Sequence, residues 1–197
     1  MNVVLVHGIF DDGAIFRRLE RSLRDAGHRC WVPALKPADG RRGIHDLACK
    51  LKAYVDEQLE PSAPIAIVGF SMGCIVSRHY LQLLDGHARC EALFAVSAPH
   101  QGTLLAYLYP GKGARDMRPG SPVLEELRRT EHRLARMAVF GYWTSFDVTV
   151  FPARSSHWPR ASSSLDARAL LHRFMPGNER VCADIVQRMS TLNAARA

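Results

Sequence analysis

Apolar positions along the chain fall into two kinds of stretch: short unbroken runs, and longer segments with helical spacing. Residues 2–6, Asn2-Val3-Val4-Leu5-Val6, form a run of strand length that stops at His7-Gly8. Between 12 and 26, Ile15, Phe16, Leu19 and Leu23 recur at helical intervals, and Gly27 supplies a stop. A second strand is predicted over 28–32, ended by Pro33. Residues 43–59 read as a helix with Leu47, Leu51, Tyr54 and Val55 on one face and Pro61 beyond it. Residues 64–70 give a third strand, Ile65-Ala66-Ile67-Val68 being apolar throughout, and a helix follows over 72–84. Further strands are expected at 92–96, at 146–151 and, more briefly, at 167–171, with a closing helix over 179–192.

Strands that are apolar on both faces and alternate with helices point to a parallel sheet covered on each side, the α/β class. About six strands are expected. The stretch 101–142 breaks the rhythm with a glycine- and proline-rich loop, Tyr109-Pro110-Gly111-Lys112-Gly113, followed by a predicted helix over 122–136. It reads as a cap or insertion over the sheet, within a single domain spanning 1–197. A chain of 197 residues can bury roughly 70% of its unfolded surface, so it needs neither disulfide nor metal for stability. No apolar run approaches the roughly 20 residues that a membrane span requires.

The net charge of +7 changes this picture little. Of the 26 basic residues, 22 are arginines, and they are scattered singly or in pairs such as Arg17-Arg18, Arg41-Arg42 and Arg128-Arg129. A nucleic-acid partner would call for a basic stripe, so none is expected; weak association with anionic membrane surfaces is compatible with the excess charge. The five cysteines, Cys30, Cys49, Cys74, Cys90 and Cys182, show no metal-like spacing. Free thiols suit a reducing compartment. Together with an N-terminus that lacks a basic leader and enters a strand directly, they make a cytoplasmic location the expectation.

The chemistry concentrates at Gly69-Phe70-Ser71-Met72-Gly73, which lies between a predicted strand and a predicted helix. A sharp strand-to-helix turn strains the nucleophile's backbone, so its neighbours must be small, and it lifts the hydroxyl above the sheet at a helix N-terminus. Acyl transfer also needs two amide donors for the developing oxyanion. Met72, next after the serine, supplies one. Ile9, in the His7-Gly8-Ile9 loop where Gly8 permits close approach, supplies the other, with Phe10 as a neighbouring candidate. A serine nucleophile further requires a base and an acid that orients it. Asp147 is the one carboxylate in an otherwise apolar run, with Asp166 and Asp184 as alternatives. His157 and His172 are the histidines beyond it, and the 25-residue interval to His172 leaves room for a last strand.

These pieces resemble a compact alpha/beta hydrolase of the bacterial lipase and esterase type, and more distantly the GPI inositol-deacylase-like group. The resemblance rests on His7-Gly8-Ile9, the Gly69–Gly73 turn, Ser97-Ala98-Pro99-His100-Gln101-Gly102-Thr103, and Asp147 with His172. It implies a fold lacking the two leading strands of larger members. It also implies a loop near the active site at Ser97–Thr103, with His100 structural, and a helix over the site from Arg118-Pro119-Gly120-Ser121-Pro122 onward.

The expected function is that of a serine hydrolase cleaving small-molecule or lipid esters through Ser71, His172 and Asp147, with Ile9 and Met72 forming the oxyanion hole. No metal or cofactor is required. The acyl group is expected to lie along Leu104, Leu105, Tyr107 and Leu108. Alternatives are a thioesterase or acyltransferase using the same three residues, and a non-catalytic ligand-binding protein of the same fold.

Overall fold

Six strands, every one parallel to its neighbours, form one sheet in the order β2-β1-β3-β4-β5-β6. The computed structural model describes residues 1–194. The strands are β1 (Asn2–Val6), β2 (Arg29–Trp31), β3 (Ile65–Phe70), β4 (Cys90–Val96), β5 (Ala138–Trp143) and β6 (Ser163–Asp166). The helices are α1 (Arg17–Asp25), α2 (Ile44–Gln58), α3 (Met72–Leu83), α4 (Lys112–Asp116), α5 (Pro122–Arg129) and α6 (Glu179–Ala194).

Side-chain alternation divides the core between the two faces of the sheet. Val4, Val6, Ile67, Leu93 and Val139 pack with Leu47, Leu51 and Ile75 of α2 and α3. On the opposite face Val3, Leu5, Val68, Phe94 and Tyr142 pack with Leu19, Leu23 and Ile185 of α1 and α6. A strand buried on both sides has no polar positions to spare, which is why β3 and β4 are almost wholly apolar.

Two strand expectations are corrected. The fifth strand is β5 (Ala138–Trp143), which begins inside the stretch expected to be an insertion, and 146–151 is an irregular loop. In that loop the Thr149 and Val150 amides donate to Asp147 Oδ1 at 2.9 and 2.8 Å, which curls the backbone into a turn and removes those donors from any ladder. The sixth strand is β6 (Ser163–Asp166), just before the predicted 167–171; Arg168 takes a positive φ of 49° there and breaks the extended run. The helix predicted over 122–136 ends at Arg129 and continues as a single 3₁₀ turn, Glu131–Leu134.

The chain leaves β1 toward β2 on one side and returns to β3 on the other. The strand order therefore reverses between β1 and β3, and the crevice above their carboxyl ends is where open α/β sheets hold ligands.

Candidate active site

Ser71 sits on that crevice, between β3 and α3, with φ of 53° and ψ of −123°. A non-glycine residue in that region is strained, and its surroundings hold it there. The Ser71 amide donates to Val96 O at 2.8 Å, and the Cys74 amide donates back to Ser71 O at 3.0 Å. The flanking glycines have steric reasons. A Cβ on Gly73 would collide with the Val6 and His7 carbonyl oxygens, and one on Gly69 would stand 2.8 Å from Cys74 Cα. Glycine thus lets α3 start directly against the end of β1.

Gly8 is equally crowded: a Cβ there would meet Ser71 Cβ at 3.2 Å and Phe70 Cδ1 at 3.1 Å. The loop after β1 therefore packs on the serine itself. His7, 2% exposed, shapes this loop. Its Nε2 accepts from the Leu35 amide at 3.1 Å, so its proton lies on Nδ1, which donates to Gly8 O at 2.9 Å. Phe10 is removed as an oxyanion donor because its amide is committed to Ala38 O at 2.9 Å. The Ile9 amide has no acceptor among the described residues. The Met72 amide, first in α3, belongs to the group a helix leaves without an internal acceptor.

Asp147, 3% exposed, and His172 meet across 25 residues of sequence. His172 Nδ1 donates to Asp147 Oδ2 at 2.7 Å. The aspartate's other oxygen is filled by the Thr149 and Val150 amides, so every acceptor in the carboxylate has a defined partner. With Nδ1 donating, the lone pair of His172 lies on Nε2, which is buried without a protein partner. Ser71 and His172 line one cavity, and the His172 ring packs on Phe70 with centroids 4.8 Å apart. No hydrogen bond joins Ser71 Oγ to His172 Nε2 in this structure.

The alternatives are committed elsewhere. Asp184 binds Tyr142 Oη and Arg188 on α6, Asp166 caps the Arg168 amide, and His157 sits against the edge of Trp143.

A family model described as the alpha/beta hydrolase family matches residues 3–194. The chain belongs to the alpha/beta hydrolase family. Lysosomal thioesterase PPT2 of Homo sapiens is 26% identical over 117 residues, which is 55% of this chain and 38% of that protein. The chain thus matches well under half the length of these curated relatives. Among solved structures, lipase BlEst2 of Bacillus licheniformis superposes with a TM-score of 0.72 at 13% identity, covering 95% of this chain and 91% of that one. Methylesterase MES16 of Arabidopsis gives 0.67 at 15% identity, covering 97% and 99%. At these identities the solved structures speak for the fold alone.

In this alpha/beta hydrolase the cavity at Ser71 encloses about 380 Å³. Its apolar wall comes from Leu105, Ala106, Ala114, Met117 and Val150. Of the four residues expected along an acyl group, Leu105 lines it, whereas Leu104, Tyr107 and Leu108 are exposed and do not line it. A larger groove of about 1380 Å³ lies where β3, β4 and β5 begin, at the opposite end of the sheet, and none of the predicted site residues lines it.

The segment Ser97–Thr103 braces the acid loop. Thr103 Oγ1 accepts from the Phe151 amide at 3.0 Å and donates to Thr149 O at 2.9 Å, and the Leu104 amide donates to Phe151 O at 2.8 Å. His100 lies away from Ser71, stacked on Trp158 at 4.2 Å. Its Nδ1 accepts from Arg78 at 3.1 Å, and burial together with the Arg78 charge pushes its pKa well below the ordinary histidine value. Sequence reasoning did not single out Asp11, which lines the same cavity. Burial raises its carboxyl pKa, opposed by the charges of His7, Arg173 and His172.

Proposed function

We propose that the protein is a serine hydrolase of carboxylic esters and thioesters, with Ser71 as nucleophile, His172 as base and Asp147 as the group that orients it. The observation that carries this reading is the 2.7 Å bond from His172 Nδ1 to Asp147 Oδ2, made beside a strained serine in the same cavity.

In the first half-reaction Ser71 Oγ attacks the acyl carbon and its proton passes to His172 Nε2. The carbonyl π pair moves onto oxygen, where the Ile9 and Met72 amides stabilise it. The imidazolium is held by Asp147, whose second oxygen stays fixed by two backbone amides. Collapse of the intermediate breaks the bond to the leaving oxygen or sulfur, which takes the Nε2 proton. Water then repeats the sequence on the acyl-enzyme and frees the acid.

The apolar wall of the cavity supports an acyl chain as the buried part of the substrate. That wall comes largely from 101–137, which supports a capping role for the segment between β4 and β5. Exposed Phe10, Leu108 and Tyr109, with Arg118 stacked over Tyr107 at 4.7 Å, support weak association of this rim with anionic lipid surfaces. No helix among the described residues is long and apolar enough to cross a membrane. The five unpaired cysteines support a reducing, cytoplasmic setting.

A specific observation favours thioesters within this reading: the curated relatives matched over 55% of the chain are thioesterases. The test is hydrolysis of p-nitrophenyl esters and acyl thioesters of graded chain length, beside fluorophosphonate labelling. Turnover that Ser71→Ala and His172→Ala both remove supports the reading. An unlabelled, inactive protein would leave a ligand-binding member of the family.

A further inference from the structure

The cavity at Ser71 does not end at the acyl wall. A second groove, of about 560 Å³, opens beside it, and Asp11 and Arg173 line both. The groove is polar where the cavity is apolar, its walls including Arg18, Asp12, Asn178 and Glu179. Most of these groups are already used within the protein. Asp12 accepts from the Ala14 amide at 2.9 Å, and Asn178 Oδ1 accepts from the Arg180 amide at 3.0 Å. Arg18 donates to Gly177 O at 3.4 Å and faces Glu179 at 3.7 Å.

Asp11 and Arg173 differ from them. Among the described residues neither side chain enters a hydrogen bond or an ion pair, although the Arg173 charge acts on the Asp11 carboxyl. They also sit at the reacting groups in sequence and in space: Arg173 follows His172, and Asp11 Oδ2 lies close to Gly8, in the loop that packs on Ser71. A leaving group departing from Ser71 toward the polar groove meets the half-buried Asp11 carboxylate and the exposed Arg173 guanidinium, which line both cavities.

Resting on the hydrolase reading, we infer that Asp11 and Arg173 select a leaving group that carries a carboxamide near the scissile bond. The amide N–H donates to the Asp11 carboxylate and the amide carbonyl accepts from the Arg173 guanidinium. A cation alone would fill Asp11 and leave Arg173 idle, and an anion alone would do the reverse; an amide presents both complements on adjacent atoms. The substrate is then bipartite: an apolar acyl chain in the 380 Å³ cavity, and a peptide-like or pantetheine-like thiol or alcohol in the groove.

A matched pair of thioesters tests this. S-decanoyl-N-acetylcysteamine carries the amide, and the decanoyl thioester of pentanethiol replaces it with methylenes. The readout is the ratio of their kcat/KM values, which cancels any change in the chemical steps common to both. In the unaltered protein the amide thioester is expected to be favoured by about tenfold, the scale of one or two net hydrogen bonds. In Asp11→Leu and in Arg173→Met the ratio is expected to fall toward one, and Arg173→Lys should restore part of it. Fluorophosphonate labelling of Ser71 in each variant verifies that the site is folded. A decanoyl thioester of N-acetylcysteine methylamide, run alongside, separates a peptide from a pantetheine-type leaving group, and preference for either supports the assignment. A ratio near one in the unaltered protein, or one that survives both variants, overturns it. Labelled Ser71 without turnover of any amide thioester overturns it while the hydrolase reading stands; no labelling and no turnover removes both.

Discussion

Thr103 Oγ1 donates to the Thr149 carbonyl at 2.9 Å and accepts from the Phe151 amide at 3.0 Å, tying the loop after β4 to the loop that holds Asp147. The contact explains why a segment carrying none of the proposed reacting atoms belongs to the site. The amides that fill Asp147 Oδ1 come from Thr149 and Val150, and Thr103 fixes the chain on either side of Val150. Thr103→Val keeps the shape and removes the hydroxyl. It is expected to lower kcat about tenfold with KM little changed, and to cost about 1 kcal/mol in stability because a partly buried amide and carbonyl lose their partner. Steady-state kinetics with urea unfolding check both numbers, and an unchanged kcat would argue against the brace.

Asp147→Asn tests the orienting role. The Asn side chain can still accept from Thr149 and Val150, but it can turn an NH₂ toward His172 Nδ1 and impose the wrong tautomer. On the proposed mechanism kcat falls by roughly 10³–10⁴, the scale known for such replacements in serine hydrolases. Fluorophosphonate labelling should slow in parallel. Labelling at the original rate would show that Ser71 is not activated through this pair.

Gly73→Ala places a methyl group against the Val6 and His7 carbonyl oxygens, which belong to backbone and cannot yield cheaply. The first turn of α3 must shift away from β1. A loss of about 1–3 kcal/mol is expected from the overpacking, a fall in Tm of roughly 2–10 °C for a chain of this size. Activity should fall by more than stability accounts for, since the Met72 amide moves with the turn. Gly177→Ala, where a Cβ would meet nothing within 4 Å, is the matched control.

Two buried imidazoles are expected to lower stability in acid. Burial and the Arg78 charge depress His100, and burial with the neighbouring His45 pushes His79 down to about 4. Both stay neutral in the folded protein as pH falls below about 6.5, whereas in the unfolded chain both take up protons. The unfolded state binds more protons across that window, so stability is intact above pH 6.5 and drains away below it. For His100 alone the slope approaches about 1.4 kcal/mol per pH unit. Thermal unfolding between pH 7 and 5 should show this decline, and His100→Gln should flatten it. A pH-independent Tm would contradict the burial of these groups.

Arg78, 2% exposed, gathers the segment between β4 and β5 onto α3. It pairs with Glu131 at 2.9 Å, donates to Leu127 O at 3.1 Å and stacks over Trp158 at 4.3 Å. Burial lowers its pKa to about 10, so the guanidinium remains charged at neutral pH. Glu131→Gln leaves that charge short of its counter-ion and is expected to destabilise the fold by about 2–3 kcal/mol. Calorimetry would register this as a lower Tm.

Local pattern determined the class of this protein and nominated the groups proposed to react. β1, β3 and β4 are legible because a strand buried on both faces must be apolar throughout. The serine turn is legible because glycine alone fits where α3 meets β1. Asp147 and His172 could be nominated by order and spacing, since a carboxylate in an apolar run needs a partner. Local pattern failed where contacts from elsewhere decide the backbone. The run 146–151 has the alternation of a strand, yet the Asp147 carboxylate captures two of its amides and Thr103 a third, so it becomes a loop and β5 forms upstream. Sequence favoured Ile9 as the proposed oxyanion donor and left Phe10 as a neighbouring candidate; only the Ala38 carbonyl, 28 residues from Phe10, shows that the Phe10 amide is already committed. The shared lining of two cavities by Asp11 and Arg173 likewise has no sequence signature, because 162 residues separate them and the packing of the loop after β1 beside the loop before α6 brings them together.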